Sequence, residues 1–434
     1  MNVGRIGVLT LTGGAATLLL GGLLAGHFFR SAPESNDARR DWILAQKTIA
    51  SRDFPQAVVH LTTCLQSCPF NAEAHFLMAR TCRRAGWLKD WKTHLQEAAF
   101  LQWPMEQIDF EKQLQRAQIG DVWNVEDSLL EQLNERPPEE PLILEALVNG
   151  LVLNDRLTDV LLLTTKWNEA FPEDWLPLIY RGNARLRLNG KTEDVIDDFK
   201  RVLELKPDDV EANLALAMVL ANNGDVGRAF PHFEACRASM PDDPRVLFGI
   251  AYCQHSLGMN QEARVTLSQL LDKNKDHAAG CFLQAKIELA EDFREQAYQW
   301  LKKADRLSPK EVDVTNALML VCRQLGRTEE AEEYRRSQEE IRARDAELDK
   351  LATALKSRPE DAALRFQLGM ACLKLGRDLE ATHWFQGILW KDPAHVPTLK
   401  ALADFYEKKG NRKMADHFRL KAENAIGRGI VKTP

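Results

Sequence analysis

The chain has 434 residues and a mass of 49.2 kDa, with 45% hydrophobic and 28% charged residues, so core material is present and wholesale disorder is excluded. Its 57 basic and 63 acidic residues leave a net charge of -6, without the basic surplus that a generic nucleic-acid binder needs. Eighteen prolines and 24 glycines are too few for a collagen-like or low-complexity chain.

Residues 6–29 carry no charge, and Arg5 and Arg30 bracket them. A helix rising 1.5 Å per residue over that length crosses a hydrocarbon core of roughly 30 Å. The rival reading is a signal peptide, for which the small-x-small cleavage site is poor: Leu23 stands at minus three from Ala25, and His27-Phe28-Phe29 follow. A single transmembrane anchor over 6–29, or an uncleaved signal, is the reading taken, after a tail at 1–5 and before a linker at 30–36. Arg30, Arg39 and Arg40 favour a cytoplasmic body, whereas the very short leading tail favours an extracytoplasmic one, and the reading leans to the latter. Gly22 and Gly26 form a small-xxx-small pair that would give the anchors weak self-association; a glycine-rich span without pairing is the plainer alternative.

Beyond the linker, helix-closing prolines recur at Pro69, Pro104, Pro138, Pro172, Pro207, Pro241, Pro309, Pro359 and Pro393, in steps of 34 or 35 with a skipped beat at Lys275 and one step of 50. A small residue precedes the close by about one helix (Ala57, Ala229, Ala263, Ala297, Ala381, Ala415), and a large apolar one follows it by a turn (Leu61, Leu130, Phe199, Phe233, Leu267, Leu301, Phe385). Glycine marks the middle of most units, for instance Gly86, Gly224 and Gly258. Each unit therefore reads as two amphipathic helices, the first ended by glycine and the second by proline. One such hairpin cannot bury its own apolar face, so the units must stack.

The unit from Asp208 to Pro241 carries Asn213, Leu216, Ala217, Leu220, Gly224, Ala229, Phe233 and Cys236, and Leu368, Gly369, Ala381, Phe385 and Ile388 repeat the spacing before Pro393. These units resemble the tetratricopeptide repeat (TPR) family. The resemblance implies an all-α fold: a right-handed α-solenoid of stacked helix–turn–helix hairpins, preceded by one transmembrane helix. About eleven repeats fit residues 37–428, with a tail at 429–434. The pattern is weaker from Met105 to Pro172, where Glu126 and Val160 replace the small alanine. The long step holds a helical insertion near 335–357, in which Tyr334, Ile341, Leu348 and Leu355 recur every seven residues. That stripe is either one apolar side of a solvated helix or a coiled-coil contact with a partner.

Catalytic motifs are missing. Gly190-Lys191-Thr192 ends like a phosphate-binding loop, but Arg185 stands where the first glycine belongs. His60, Cys64 and Cys68 share one side of a helix without an evident fourth metal ligand. Six of the eight cysteines fall in phase with core positions, where free Cys acts as a small hydrophobe; Cys68 and Cys82 are the pair to test for a disulfide if the body is exported. No cofactor, metal or catalytic residue is expected, and the chain reads as a non-enzyme.

In the TPR family, the first helices of the hairpins line a groove that binds peptides or partner segments. Carried onto this chain, the groove positions include Asn183, Leu214, Met218, Phe248, Tyr252, Phe282, Lys286, Asn316, Phe366 and Met370, with Phe76, Arg80 and Asn149 towards the N-terminus. Phe248, Leu214 and Phe282 stand where the family's carboxylate clamp would need polar residues, so an apolar helix or extended segment is the expected occupant. Packing of these side chains on neighbouring helices is the alternative. The reading is a membrane-anchored scaffold for protein–protein interaction, with a substrate-gripping accessory subunit of an envelope enzyme complex as the second choice.

Overall fold

The structure, a computed structural model, describes residues 36–133, 139–188, 190–309, 311–358 and 361–427. The segment read as an anchor, 6–29, lies outside them. No helix among the described residues is long and apolar enough to cross a membrane. The described chain is helical and divides into two compact units, one ending at Pro207 and the other running from Asp208, with Arg187–Thr192 grouped with the second.

The first unit contains α1 (Asn36–Ala50), α2 (Phe54–Ser67), α3 (Ala72–Arg84), α4 (Leu88–Phe100), α5 (Met105–Gln118), α6 (Glu126–Gln132), α7 (Glu140–Leu153), α8 (Leu157–Ala170), α9 (Leu176–Arg187) and α10 (Thr192–Leu205). The second contains α11 (Val210–Asn222), α12 (Val226–Ser239), α13 (Pro244–Ser256), α14 (Asn260–Lys273), α15 (Ala278–Ala290), α16 (Arg294–Leu307), α17 (Val312–Gln324), α18 (Thr328–Ser357), α19 (Ala362–Lys374), α20 (Asp378–Lys391), α21 (Val396–Lys408) and α22 (Arg412–Gly427). In the second unit successive helices pack as antiparallel pairs and each pair packs on the next; in the first, α1 pairs with α2, α3 with α4 and α7 with α8.

Local chemistry sets these boundaries. Side chains of Asn71, Asp209, Asp243 and Asp361 accept a backbone N–H of the following first turn, as N-caps should. Gly86, Gly224, Gly258, Gly326, Gly376 and Gly410 take positive φ in the turn inside each pair. The alanines of the repeat, from Ala57 to Ala415, are fully buried, and Leu61, Phe199, Phe233, Leu267, Leu301 and Phe385 fill the space beside them.

Two places depart from the repeat. Around the third pair, a short 3-10 turn at Val122–Asn124 leaves only seven residues for α6, and α5 packs mainly on α7. There the buried residue is Leu129 and not Leu130, one position earlier than the phase predicts. Glu126 leaves the core to bind Arg156, at 2.5 Å. The second departure is α18, one continuous helix of 30 residues that pairs with α17 and then with α19. Its heptad stripe is used inside the chain: Ile341, Leu348 and Leu355 are buried, and Leu348 joins Cys372 and Phe385 in one core cluster. A coiled coil with a partner through this stripe is therefore excluded.

Candidate functional site

The predicted groove positions behave differently in the two units. In the first, Phe76 is buried and stacks on Trp103 with ring centres 5.3 Å apart. Arg80 lies over the Phe76 ring and donates to Glu111 at 3.0 Å. Glu111 also accepts from Arg83 at 2.5 Å, and neither of these two side chains touches solvent. Burial alone would push the Glu111 carboxyl up, but the charges of Arg83 and then Arg80 hold it below the ordinary carboxylate range. Asn149 accepts from the Tyr180 hydroxyl at 2.9 Å and donates to the Glu145 carbonyl. This face is filled by the unit's own side chains. Asn183 is half-buried on α9.

In the second unit α11, α13 and α15 lie side by side. Leu214 is buried and forms part of the wall instead of presenting a surface, which corrects its place among the contact residues. Met218, one turn on, is 42% exposed. Phe248 and Tyr252 on α13 are half-buried, with ring centres 6.4 Å apart, resting on the core of Leu247, Ala251, Leu267 and Leu283. On α15 Phe282 is half-buried and Lys286 is exposed, its ammonium 5.7 Å from the Phe282 ring centre. Met218, Phe248, Tyr252, Phe282 and Lys286 thus lie, half-buried or exposed, on three adjacent helices.

His277 was not singled out by sequence reasoning. Its ring lies 5.3 Å from Phe248, and its Nδ1 accepts the Gly280 backbone N–H at 2.9 Å, capping α15. Burial lowers its proton affinity, so the neutral ring carries its proton on Nε2. His395 repeats the device: its Nδ1 faces the Thr398 backbone N–H at 3.3 Å, and its ring stands 6.1 Å from Phe366. The signal was available, because His277 and His395 each follow a capping aspartate, Asp243 and Asp361, by one period of 34 residues.

Further along, Asn316 is covered, since Gln338 of the long helix donates to its side-chain oxygen. Phe366 and Met370 are half-buried and line an open pocket of about 330 Å³ between α18 and α19, together with Leu348, Leu351, Leu375, Glu347 and Lys374.

No group of three or more His, Cys, Asp or Glu side chains is placed to hold a metal among the described residues. His60 Nδ1 instead donates to Asp41 at 2.7 Å, and Cys64 is buried. Cys68 and Cys82 both carry free thiols. Burial pushes the thiols of Cys64, Cys82, Cys236 and Cys253 up to about 11, away from nucleophilic chemistry.

Comparison with known proteins identifies the repeats. Sequence families described as Tetratricopeptide repeat match residues 181–244, 220–287 and 348–395, so these stretches are tetratricopeptide repeats. The chain is 28% identical over 158 residues to the Photosystem I assembly protein Ycf3 of Synechococcus elongatus, covering 36% of this chain and 87% of that protein. Among solved structures, MamA is similar with a TM-score of 0.33 and 17% identity, over 38% of this chain and 96% of MamA. A tetratricopeptide repeat protein from Parabacteroides merdae gives a TM-score of 0.32 and 19% identity, over 66% of this chain and 99% of its own.

Proposed function

We propose that this chain is a protein-interaction scaffold whose second unit holds an apolar segment of another protein across α11, α13 and α15. The observation that carries this reading is the strip of Phe248, Tyr252 and Phe282, half-buried on adjacent helices, with Met218 and Lys286 exposed beside it. Aromatic rings held by a rigid wall lose little conformational entropy when a partner covers them, and such residues dominate binding energy at interfaces. A flanking ammonium selects a segment with an acidic residue next to its apolar anchor. His277 stands beside Phe248, its ring centre 5.3 Å away.

The relationship to a protein named for assembling a photosystem supports an assembly role over the alternative of a substrate-gripping enzyme subunit. The charge-free segment 6–29 serves in this reading as a single-pass tether, with the repeats on the extracytoplasmic side. Carbonate extraction and protease accessibility on intact cells test the tether and its sidedness.

The groove is tested by substituting Phe248→Ser and Tyr252→Ser together. Proteins co-purified from detergent extracts by the wild-type chain should drop on the order of thirtyfold in recovery with the double variant, as for two central aromatic anchors. Unchanged recovery, with circular dichroism and thermal unfolding showing an intact fold, refutes the groove reading.

A further inference from the structure

Arg52 occupies an unusual place. It sits in the turn between α1 and α2, where the equivalent turns of other pairs hold Gly86, Gly224, Gly258, Gly326, Gly376 and Gly410, and it shares their left-handed backbone with φ of 60°. Asp155 and Asp292 also replace the glycine. A short aspartate tolerates this conformation through local hydrogen bonds, but a long arginine side chain gains nothing from it. Backbone strain kept in a turn calls for a compensating interaction, and here it is visible.

The Arg52 side chain crosses to the loop between α8 and α9, 122 residues away. Nη1 and Nη2 donate to the two carboxylate oxygens of Asp174 at 2.8 and 3.0 Å, a bidentate fork. Its guanidinium carbon lies 5.5 Å from the Trp175 ring centre, and Lys206 lies 4.1 Å from that ring. Nε stands 3.5 Å from Glu145, which is itself held bidentately by Arg84 at 3.0 and 2.9 Å. The side chains of Arg52 and Asp174 are 14% exposed and that of Glu145 is 6% exposed. A carboxylate that takes a bidentate fork, a second carboxylate and an aromatic face nearby suit a guanidinium better than an ammonium. The fit is incomplete, because the buried Arg52 Nε has no hydrogen-bond partner.

We infer that Glu145, Asp174 and Trp175 form a guanidinium-binding site that the chain fills with its own Arg52, and that an arginine of a partner segment takes this place when the α1–α2 turn swings away. Arg52 is then an internal ligand that holds the first unit shut. An incoming arginine carried on a chain without the left-handed constraint can satisfy the third N–H that Arg52 leaves unmet.

The full chain with Arg52→Gly tests this, since glycine suits the turn and removes only the ligand. Amide exchange in residues 171–176 should accelerate on the order of a hundredfold, as expected when a buried ion pair is left one-sided. Added methylguanidinium should restore protection there in a saturable manner, while methylammonium at the same ionic strength should not. The peptide acetyl-Gly-Arg-Gly-amide should do the same, and acetyl-Gly-Lys-Gly-amide should not. Adding Asp174→Asn to the variant should abolish both rescues, and in the wild type the arginine peptide, but not the lysine peptide, should speed amide exchange in the α1–α2 turn as it displaces Arg52. Unchanged exchange in Arg52→Gly, or equal rescue by both small cations, overturns the site. Rescue by methylguanidinium but not by the arginine peptide overturns the partner and leaves only an internal staple.

Discussion

The approach of α13 to α12 decides where Phe248 stands, and Gly249 controls that approach. A Cβ built at Gly249 would lie 2.3, 2.4 and 2.6 Å from Cε1, Cζ and Cδ1 of Phe233. Carbon atoms rest at about 3.5–4.0 Å from each other, so the ring and the helix would have to part by roughly 1 Å. Phe233 is 2% exposed and has no open side to move into. Overpacking of this kind destabilises by about 1–3 kcal/mol, against which alanine recovers nearly 1 kcal/mol of helix propensity. Gly249→Ala is therefore expected to destabilise the second unit by about 1–2 kcal/mol, towards the upper part of that balance because three ring atoms are contacted at once.

Gly227, in the first turn of α12, is the control: nothing lies within 4 Å of its missing Cβ. Gly227→Ala should stabilise by about 0.4–1 kcal/mol. Phe233→Leu should relieve Gly249→Ala, giving a coupling energy of about 1 kcal/mol or more in a double-mutant cycle. Repeat arrays do not unfold in a single step, so the measurement is native-state amide exchange on peptides from α12 and α13, supported by the urea midpoint. If both glycine substitutions raise stability alike, the tight contact between the helices is refuted.

Other consequences follow from charges and thiols. Glu145→Gln leaves Arg84 and Arg52 facing a neutral group inside the first unit, and amide exchange in α7 should report a loss of about 3 kcal/mol or more. Arg83 and Arg80 hold Glu111, and Arg84 with Arg52 hold Glu145, below the ordinary glutamate value despite burial. Their stabilisation is thus complete above about pH 4.3 and lost as pH falls through the lowered values, which thermal melts of the first-unit helices at falling pH will register. Burial depresses His277, so its cap is intact above about pH 6.5 and fails as protonation sets in below that; the His277 Nδ1 signal and exchange at the start of α15 should change together, and an unprotonated ring with a frayed helix would contradict this. Maleimide should label Cys68 first in the native chain, because the other seven thiols are buried, and mass spectrometry of quenched digests shows the order.

The repeat was legible because its signals act on the backbone close to where they stand. Proline stops a helix, glycine turns the chain, and the Ala–Phe pairing places two helix faces together, so reading along the chain found the hairpins. The offsets alone singled out Phe248, Tyr252 and Phe282, which are half-buried, and Leu214, which is buried, because exposure depends on how far the neighbouring helix covers each position. The heptad stripe of α18 was visible as a stripe, but its period is the same whether it faces a partner or Leu348's neighbours Cys372 and Phe385. Only the fold decides between them. His277 and His395 were missed because a histidine cap carries a weaker local signal than an aspartate one, although the 34-residue phase marks the position.

Contacts that leap over several repeats leave no periodic trace at all. Arg52 and Asp174 are 122 residues apart, and nothing in the spacing joins them. What the sequence does hold is the anomaly at one end: an arginine standing where the period asks for glycine. In an array stabilised by nearest neighbours, a residue that departs from the consensus without a local gain has to be explained by something non-local. The same logic applies to the shortened α6, whose Glu126 leaves the core for Arg156, and to the long α18, whose second half builds a cavity against Phe366 and Met370. The breaks in the period, more than the repeats that keep it, are where the chain's own chemistry lies.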